Sequence, residues 1–536
     1  MPGQGDGSSG PNALRNLELL VALTASPPRG WREEGSPGRG EVPGPGRGAP
    51  LPSHLHIAPS PIISPAGIVQ MSDANAPPLE TVQDLIIGTG QAGKPLAGAL
   101  AEAGRSVAIV ERDRVGGTCV VRGCTPTKTM VASARVAYMA RQAGGYGIDT
   151  GEVSVDMDRI RERKRTIVDE WSGGSRKGLE RHETLELIEG EARFVEERTV
   201  EVTHPDRSSR RIRAERVFIN AGARPRVPDL PGLGEIPYLD STSIMELDRV
   251  PEHLVVLGGG FIGLEFGQMF LRFGSRVTVL EQGPRLAPRE DEDICEALET
   301  ILVEEGVVIR TGVRAVRAEA TPGPGVRIHL EGGDDPVEGS HLLVATGRIP
   351  NTEALALEAT GLSSDSRGFV PVNDRLETTV EGIWALGDVA GSAPFTHVAY
   401  DDFRVVRENL LNGGDASTAH RISTYTVFLD PQLGRVGMSE KDAADAGYDI
   451  RVATLPMARV ARAMELDETR GLMKAVVDAE TDQILGAAIL GIEGGEIAAV
   501  LQVAMMGKLP YTALRDAVIS HPTLAESLNN LFAGLD

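Results

Sequence analysis

The chain has 536 residues, of which 24% are charged and 41% hydrophobic, and a formal net charge of -22. That length exceeds what one hydrophobic core organises, so two to four domains are expected. The acidic balance, without basic runs, argues against a nucleic-acid or anionic-membrane partner, and no apolar run reaches the roughly 18 residues needed to span a bilayer.

In chain order, residues 1–78 come first. From Pro27 to about Ser72 they are dense in Gly, Pro and Ser, a composition that cannot bury enough apolar surface to fold, and disorder is expected there. Asp84-Leu-Ile-Ile-Gly88-Thr-Gly90-Gln-Ala-Gly93 then predicts a buried strand entering a glycine turn, followed by a helix over Lys94–Ala103 and a strand over Ser106–Val110 that ends at Glu111. This is a dinucleotide-binding fingerprint in its structural context. Its glycines permit close approach of a pyrophosphate to a helix N-terminus, and an acidic residue about 20 positions on holds ribose hydroxyls.

Two of the three cysteines follow, Cys119 and Cys124, in Gly117-Thr118-Cys119-Val-Val-Arg-Gly-Cys124-Thr-Pro-Thr-Lys128. Their spacing matches neither a zinc ribbon nor a thioredoxin motif, and no further Cys or His cluster completes a metal shell, so no metal site is expected. On the residues alone, a redox pair and a structural staple both remain open. Three cysteines in so long a chain do not make a secreted disulfide scaffold, which fits a cytoplasmic protein.

A second fingerprint begins at Leu254-Val-Val-Leu-Gly258-Gly-Gly260-Phe-Ile-Gly263, with a predicted helix over Leu264–Phe273 and a strand over Arg276–Leu280 ending at Glu281. Two fingerprints imply two dinucleotides. A carboxylate at the second strand end binds the 2′-hydroxyl of NADH and repels the 2′-phosphate of NADPH; Arg285, four residues on, keeps NADPH as the alternative. Cys295 falls in a predicted helix over Asp291–Glu305 and reads as a small buried apolar group. After Ser423, strands are expected over Thr426–Leu429, Arg451–Leu455, Leu472–Val477 and Ile484–Ile489, with a helix over Glu496–Met506.

From Gln83 to the C-terminus these motifs, together with Phe218–Pro225, Leu342–Asn351, Thr378–Asp388 and Ser520-His521-Pro-Thr-Leu-Ala-Glu526, resemble the pyridine-nucleotide disulfide oxidoreductases, the family of dihydrolipoamide dehydrogenase, glutathione reductase and mercuric reductase. The resemblance implies an α/β fold with two Rossmann-like dinucleotide-binding domains, for FAD and NAD, and a C-terminal α+β dimerisation domain. Its expected division is 79–225 for FAD with the cysteine segment, 226–345 for NAD(P), 346–422 for the return to the FAD domain and 423–536 for dimerisation. It implies FAD held by Gly88, Gly90, Gly93, Glu111, Gly117, Thr118, Lys128, Ala221, Gly222, Gly347 and Asp388, and NADH held by Gly258, Gly260, Gly263 and Glu281. Phe261 stands where some relatives have a nicotinamide-gating tyrosine, though simple packing is equally open.

The resemblance further implies that Cys119 and Cys124 form a redox-active disulfide on a helix beside the flavin. Cys124 is then the flavin-proximal sulfur and Cys119 the sulfur that attacks substrate. Lys128 and Glu265 pair beside the flavin, and His521, oriented by Glu526, acts as acid and base from the partner subunit of a homodimer. His397 and Tyr400 read as packing residues. The implied activity is transfer of electrons from NAD(P)H through FAD to the disulfide and on to a small-molecule or protein disulfide, or a metal ion. Thr396–Asp402 and Ser527–Phe532 resemble a branch associated with resistance to reactive chlorine. Mercuric or copper(II) reduction and dihydrolipoamide dehydrogenation are the alternatives; a redox sensor that does not turn over is a minor one.

Overall fold

The computed structural model describes residues 79–323 and 325–535, so the segment expected to be disordered, 1–78, lies outside the described residues. The first strand, β1 (Leu79–Ile87), begins five residues before the expected start and carries Leu85 and Ile86 with no exposed surface. Strands covered on both faces read as continuous apolar runs, which is why Asp84-Leu-Ile-Ile was legible. After α1 (Gly93–Glu102) and β2 (Val107–Glu111), the cysteine segment forms two helices, α2 (Gly117–Val121) and α3 (Cys124–Gln142), where one was expected. Arg122 and Gly123 break the run with non-helical backbone, while Pro126 is tolerated because it sits in the first turn of α3. Next come α4 (Met157–Glu180), β3 (Leu185–Glu189), β4 (Glu191–Glu196), β5 (Thr199–Thr203) and β6 (Ser209–Ile219).

The chain leaves this domain through β7 (Ala223–Pro225). The second Rossmann-like unit follows as β8 (His253–Leu257), α5 (Phe261–Phe273), β9 (Arg276–Leu280), α6 (Glu292–Glu305), β10 (Val308–Arg310), an antiparallel trio β11 (Ala315–Ala320), β12 (Val326–Leu330) and β13 (Val337–Gly339), and β14 (His341–Val344). It returns through β15 (Arg348–Pro350), antiparallel to β7, and re-enters the first sheet as β16 (Ile383–Ala385) beside β6. The first sheet therefore has seven strands, ordered β3-β2-β1-β6-β5-β4 with β16 also on β6, and the second has four parallel strands ordered β10-β9-β8-β14.

Register decides what these sheets can do. Ile87 lies abreast of Val110 and Ile219, and Ile219 abreast of Ala385, so the loops after four parallel strands open at one edge. Leu257 likewise lies abreast of Leu280 and Val344 in the second sheet. The carboxyl edge of an open parallel sheet is where such folds bind ligands.

The last region follows α7 (Thr396–Leu411). It is a five-stranded antiparallel sheet of β17 (Thr424–Val427), β18 (Gln432–Gly437), β19 (Ile450–Pro456), β20 (Leu472–Asp478) and β21 (Ile484–Gly491), ordered β17-β18-β21-β20-β19 and backed by α10 (Gly494–Met506), after the short α8 (Glu440–Asp445) and α9 (Ala461–Glu465). Strand β18 was not expected, because Gln-Leu-Gly-Arg-Val-Gly is too punctuated by glycine to read as one. Its glycine has a packing reason: a Cβ at Gly434 would fall on the carbonyl of Gly494, where α10 crosses the strand. Backbone cannot yield as a side chain does, so Gly434→Ala is expected to cost about 1–3 kcal/mol. That is a thermal-unfolding measurement, and an unchanged Tm would mean that α10 can lift from β18 freely.

Candidate functional site: two dinucleotide cradles and a sulfur centre

The first fingerprint is a knitted loop rather than a bare turn. Gly88 has φ +103, and a Cβ there would fall on the carbonyl of Asn220, so only glycine lets β1 and the end of β6 close up. Asn220 then uses its whole amide: Oδ1 accepts from the Gly93 N–H at 3.0 Å and Nδ2 donates to the Leu386 carbonyl at 2.9 Å. A Cβ on Gly90 would come within 2.7 Å of the same Oδ1. Glu111, at the end of β2, accepts from the Thr89 N–H at 3.1 Å and from its hydroxyl at 2.5 Å, and Thr89 Oγ1 accepts from the Gly116 N–H at 3.0 Å. Gly117 packs against the turn so closely that a Cβ would lie 2.6 Å from the Gly90 Cα. The dinucleotide loop and the cysteine segment are thus one rigid piece. Thr118 caps α2 through its carbonyl, which accepts from the Arg122 N–H.

Of the remaining residues expected around FAD, Ala221 and Gly222 follow β6 and Asp388 follows β16 at this edge, while Gly347 follows β14 of the second sheet. The carbonyls of Ala221 and Gly222 accept from Asn351, and Gly347, at φ +113, precedes β15. Asp388 follows β16; its nearest ion-pair partner is Arg348, at 3.9 Å. Burial pushes the Asp388 carboxyl up and the Arg348 guanidinium down. A carboxylate so enclosed and so loosely paired is suited to accept hydroxyl donors.

The second cradle repeats the first. A Cβ on Gly258 would lie 2.6 Å from the Ala345 carbonyl, and Gly263 packs on the Gly258 carbonyl. Gly260 caps α5 with open space where a side chain would stand, the kind of gap a pyrophosphate fills at a helix N-terminus. Glu281 bridges its own loop, accepting from the Gly259 and Gly283 N–H groups at 2.6 Å each. Arg285 pairs with Glu292 at 3.4 Å. Phe261 packs on Tyr425, with ring centroids 5.5 Å apart.

Cys119 and Cys124 are free thiols in this structure. Cys124, the first residue of α3, is exposed; its sulfur lies 3.2 Å from the Thr396 hydroxyl at the start of α7. The Cys124 thiol is lowered to about 6, first by the hydrogen bond that Cys119 donates, then by Thr396 and by the charge of Lys128. Cys119 is pushed up, because its proton is held in that same hydrogen bond and it is partly desolvated. The reduced pair therefore carries its negative charge on Cys124. One turn along α3, Lys128 Nζ lies 2.7 Å from Glu265 Oε2 on α5 and 4.9 Å above the Phe428 ring. Glu265 Oε1 accepts from the Phe428 N–H at 2.7 Å, so the pair is pinned from a third side.

A lowered acid has a definite sign in a pH experiment. The Cys124 thiolate is present above pH 6 and lost as pH falls through about 6. The long-wavelength absorbance of the reduced holoenzyme should follow that curve. A midpoint near the ordinary thiol value, about 8.5, would contradict the arrangement.

His521 and Glu526 stand apart from this cluster. Nδ1 of His521 lies 2.9 Å from both Glu526 carboxylate oxygens, and the imidazole is 68% exposed. A carboxylate can only accept, so Nδ1 carries the proton and Nε2 is left basic and open to solvent. Among the described residues no hydrogen bond or ion pair joins His521 or Glu526 to the sulfur centre. The exposed outer face of α10 carries Val500, Val503 and Met506, and Leu509 follows it.

The model of the family described as pyridine nucleotide-disulphide oxidoreductase matches residues 83–402, and that of its dimerisation domain matches 423–532. The chain belongs to the pyridine nucleotide-disulphide oxidoreductase family. It is 40% identical over 455 residues, 84% of this chain and 98% of the relative, to the probable pyridine nucleotide-disulfide oxidoreductase RclA of Escherichia coli (strain K12). It is 35% identical to the mercuric reductase of Staphylococcus aureus, covering 83% of this chain and 80% of that one, and 35% identical to the dihydrolipoyl dehydrogenase of Haloferax volcanii, covering 83% and 94%. A solved structure titled the Cu(II) complex of HOCl-induced flavoprotein disulfide reductase RclA from E. coli superposes with a TM-score of 0.79 at 39% identity, covering 85% of this chain and all of that one. This pyridine nucleotide-disulphide oxidoreductase is accordingly an enzyme using FAD and NAD(P)H, and its two cradles fit both groups.

Several contacts of the site were not legible in sequence. Thr89, Asn220 and Thr396 lie inside segments that were legible, but nothing in the sequence shows which groups they or Phe428 would meet. His397 and Tyr400, expected as packing residues, are exposed on α7: His397 Nε2 bonds the Thr424 carbonyl at 2.7 Å and Tyr400 meets the Phe403 ring edge-on. Cys295 is buried, its sulfur 3.5 Å from the Ala287 carbonyl, and burial pushes its thiol up to about 11. No helix among the described residues is long and apolar enough to cross a membrane.

Proposed function

We propose that the chain works as a cytoplasmic homodimer that oxidises NADH and reduces an acceptor through Cys119 and Cys124, with each site completed by the partner's His521 and Glu526. The observation that carries this reading is the placing of Cys124, its sulfur 3.2 Å from the Thr396 hydroxyl and one helical turn before Lys128, where the hydrogen bond from Cys119 lowers its thiol. FAD, held by Gly88, Gly90, Gly93, Glu111, Gly117, Thr118, Ala221, Gly222, Gly347 and Asp388, supplies two-electron exchange between a hydride donor and sulfur. Lys128, fixed by Glu265, places a positive charge on that side of Cys124. Cys119 is the sulfur left free to meet an acceptor: Nε2 of the partner's His521 takes the Cys119 proton, the thiolate so formed attacks an oxidised sulfur, one acceptor S–S bond breaks, and the same Nε2–H protonates the departing thiolate. Closure of the Cys119–Cys124 bond then releases the second thiol. The exposed apolar residues of α10 support burial against a second copy.

Glu281 favours NADH, and Arg285, drawn to Glu292, is turned to another task than the 2′-phosphate. The domain limits follow the link strands, with the dinucleotide units dividing near 225 and 345 and the dimerisation region beginning near 423. For the acceptor, the likeness to a reductase solved as a Cu(II) complex makes copper(II) the first metal to assay, beside small disulfides. The His521–Glu526 pair supports lipoamide as the second candidate.

Anaerobic titration of the holoenzyme with NADH and separately with NADPH tests the reading. NADH should raise a long-wavelength absorbance at two electrons per site, with kcat/KM about tenfold or more above that for NADPH, the worth of one lost charge-assisted contact. Reduction of flavin colour without that absorbance would sink the sulfur relay, and equal use of NADPH would sink the role given to Glu281.

A further inference from the structure

Two groups bear on Cys124 from outside its own segment, Thr396 at its sulfur and Glu265 through Lys128, and one short strand reaches the neighbours of both. At the start of β17 (Thr424–Val427), the Thr424 carbonyl accepts from His397 Nε2–H at 2.7 Å. The next residue, Tyr425, stacks its ring on Phe395, with centroids 5.1 Å apart and planes 8° from parallel. Phe395 caps α7 immediately before Thr396 and stacks on His397 as well, at 5.6 Å. Just past the end of β17, the Phe428 N–H donates to Glu265 Oε1 at 2.7 Å and the Phe428 ring lies 4.9 Å from Lys128 Nζ.

The Tyr425 ring is itself held from two further sides. It meets Phe261, the first residue of α5, with centroids 5.5 Å apart, and its hydroxyl donates to Glu290 Oε1. Glu290 is buried and pairs with Arg435 of β18 at 3.4 Å, and the same guanidinium reaches Asp291 at 3.0 Å. A buried carboxylate so paired cannot swing away without leaving a charge unmatched, so the tip of the tyrosine is fixed. Stacked rings keep to a narrow range of offsets, and a fixed ring therefore orients the one it touches. Tyr425 lies in the stretch that matches the dimerisation domain, whereas Phe261, Glu290 and Phe395 lie in the stretch that matches the oxidoreductase model. Among the described residues no hydrogen bond joins Tyr425 to either cysteine, so its influence on the sulfur passes through Phe395 to Thr396.

We propose that Tyr425 is a positioning residue for the sulfur centre: its ring, held by Phe261 and Glu290, fixes Phe395 and so keeps the Thr396 hydroxyl within hydrogen-bond distance of Cys124. Such a bond weakens steeply as its geometry loosens, which is why the side chains behind a reacting group must be locked by packing. The dimerisation domain then serves the sulfur of its own chain besides lending a histidine to the partner. The groups that act on Cys124 are Cys119, Thr396, Lys128, Glu265 and Arg348, and those that act on Tyr425 are Glu290, Arg435 and Arg289. This inference rests on the disulfide-reductase reading above.

The test follows the long-wavelength absorbance of the reduced holoenzyme against pH. Tyr425→Leu removes the ring and should raise the midpoint by about one pH unit, the worth of one hydrogen bond to a charged sulfur. Tyr425→Phe keeps the ring and should restore most of it. In a Thr396→Val background Tyr425→Leu should shift nothing further, because the bond it acts through is already gone. Thermal unfolding and retention of FAD report folding, and Phe395→Leu, which breaks the same stack from α7, carries the test if Tyr425→Leu does not fold. An unchanged midpoint in the folded ring-deletion variant overturns the proposal. So does an equal shift in Tyr425→Phe, which would assign the effect to the hydroxyl on Glu290, and so does a shift that persists in the Thr396→Val background. If the unsubstituted enzyme shows no long-wavelength absorbance on reduction, the sulfur relay itself has failed, an outcome distinct from these because it needs no substitution.

Discussion

A Cys124→Ser holoenzyme reduced with NADH is expected to show no long-wavelength absorbance and no acceptor turnover, while its flavin colour is still lost on reduction. The reason lies in the asymmetry of the pair. Cys124 accepts the hydrogen bond from Cys119, touches the Thr396 hydroxyl and feels Lys128, so it alone is a thiolate at neutral pH. Serine at this position, a hydroxyl far too weakly acidic to ionise, removes the charge that produces the absorbance. It also removes one half of the bond that must close when the acceptor leaves. The companion Cys119→Ser should behave in the opposite way: no turnover, but a strong absorbance, because the Cys124 thiolate can no longer be consumed by disulfide formation. Persistence of the absorbance in Cys124→Ser, or its loss in Cys119→Ser, would mean that the roles of the two sulfurs are reversed.

His521→Gln is expected to slow acceptor reduction by on the order of 10² to 10⁴ while leaving reduction by NADH unaffected, since proton transfer in the acceptor step is all that it removes. Nε2 is the basic nitrogen only because Glu526 holds the proton on Nδ1 at 2.9 Å. Glu526→Gln should therefore reproduce part of the loss. The histidine's exposure, and the absence among the described residues of any hydrogen bond or ion pair from it to the sulfur centre, lead to a sharper expectation. Mixed dimers of Cys119→Ser and His521→Gln subunits should regain activity, because one of the two sites then has both an intact pair and an intact partner histidine. If mixing restores nothing, the histidine acts within its own subunit or not at all.

The two dinucleotide cradles were legible because their requirements are local. A strand that is apolar throughout, three glycines, and an acidic residue at the next strand end all fall within some thirty residues. Helix α5 and strands β8 and β9 lie within a few residues of their expected positions for the same reason. Strand β18 was missed where local reading fails: Gly434 is required by a carbonyl of α10 and Gly437, at φ +67, by the Leu485 carbonyl of β21. The break between α2 and α3 was missed too, since Val121-Arg122-Gly123 carries no strong terminator other than one glycine, common also inside turns and sites.

By itself the sequence determined the family, the order of the two dinucleotide units, the acidic strand ends Glu111 and Glu281, and which cysteines, lysine and histidine to consider, because each of these is carried by short-range patterns of residue type. Only the tertiary structure decided which groups meet. Register brings Ile87, Val110, Ile219 and Ala385 abreast, so that Asn220 reaches both the first glycine loop and Leu386. The start of α7 sets Thr396 on Cys124, and packing of α5 on α3 sets Glu265 on Lys128. Charge and proton affinity depend on distances of a few ångströms between segments far apart in the chain, and those distances exist only once the sheets have closed.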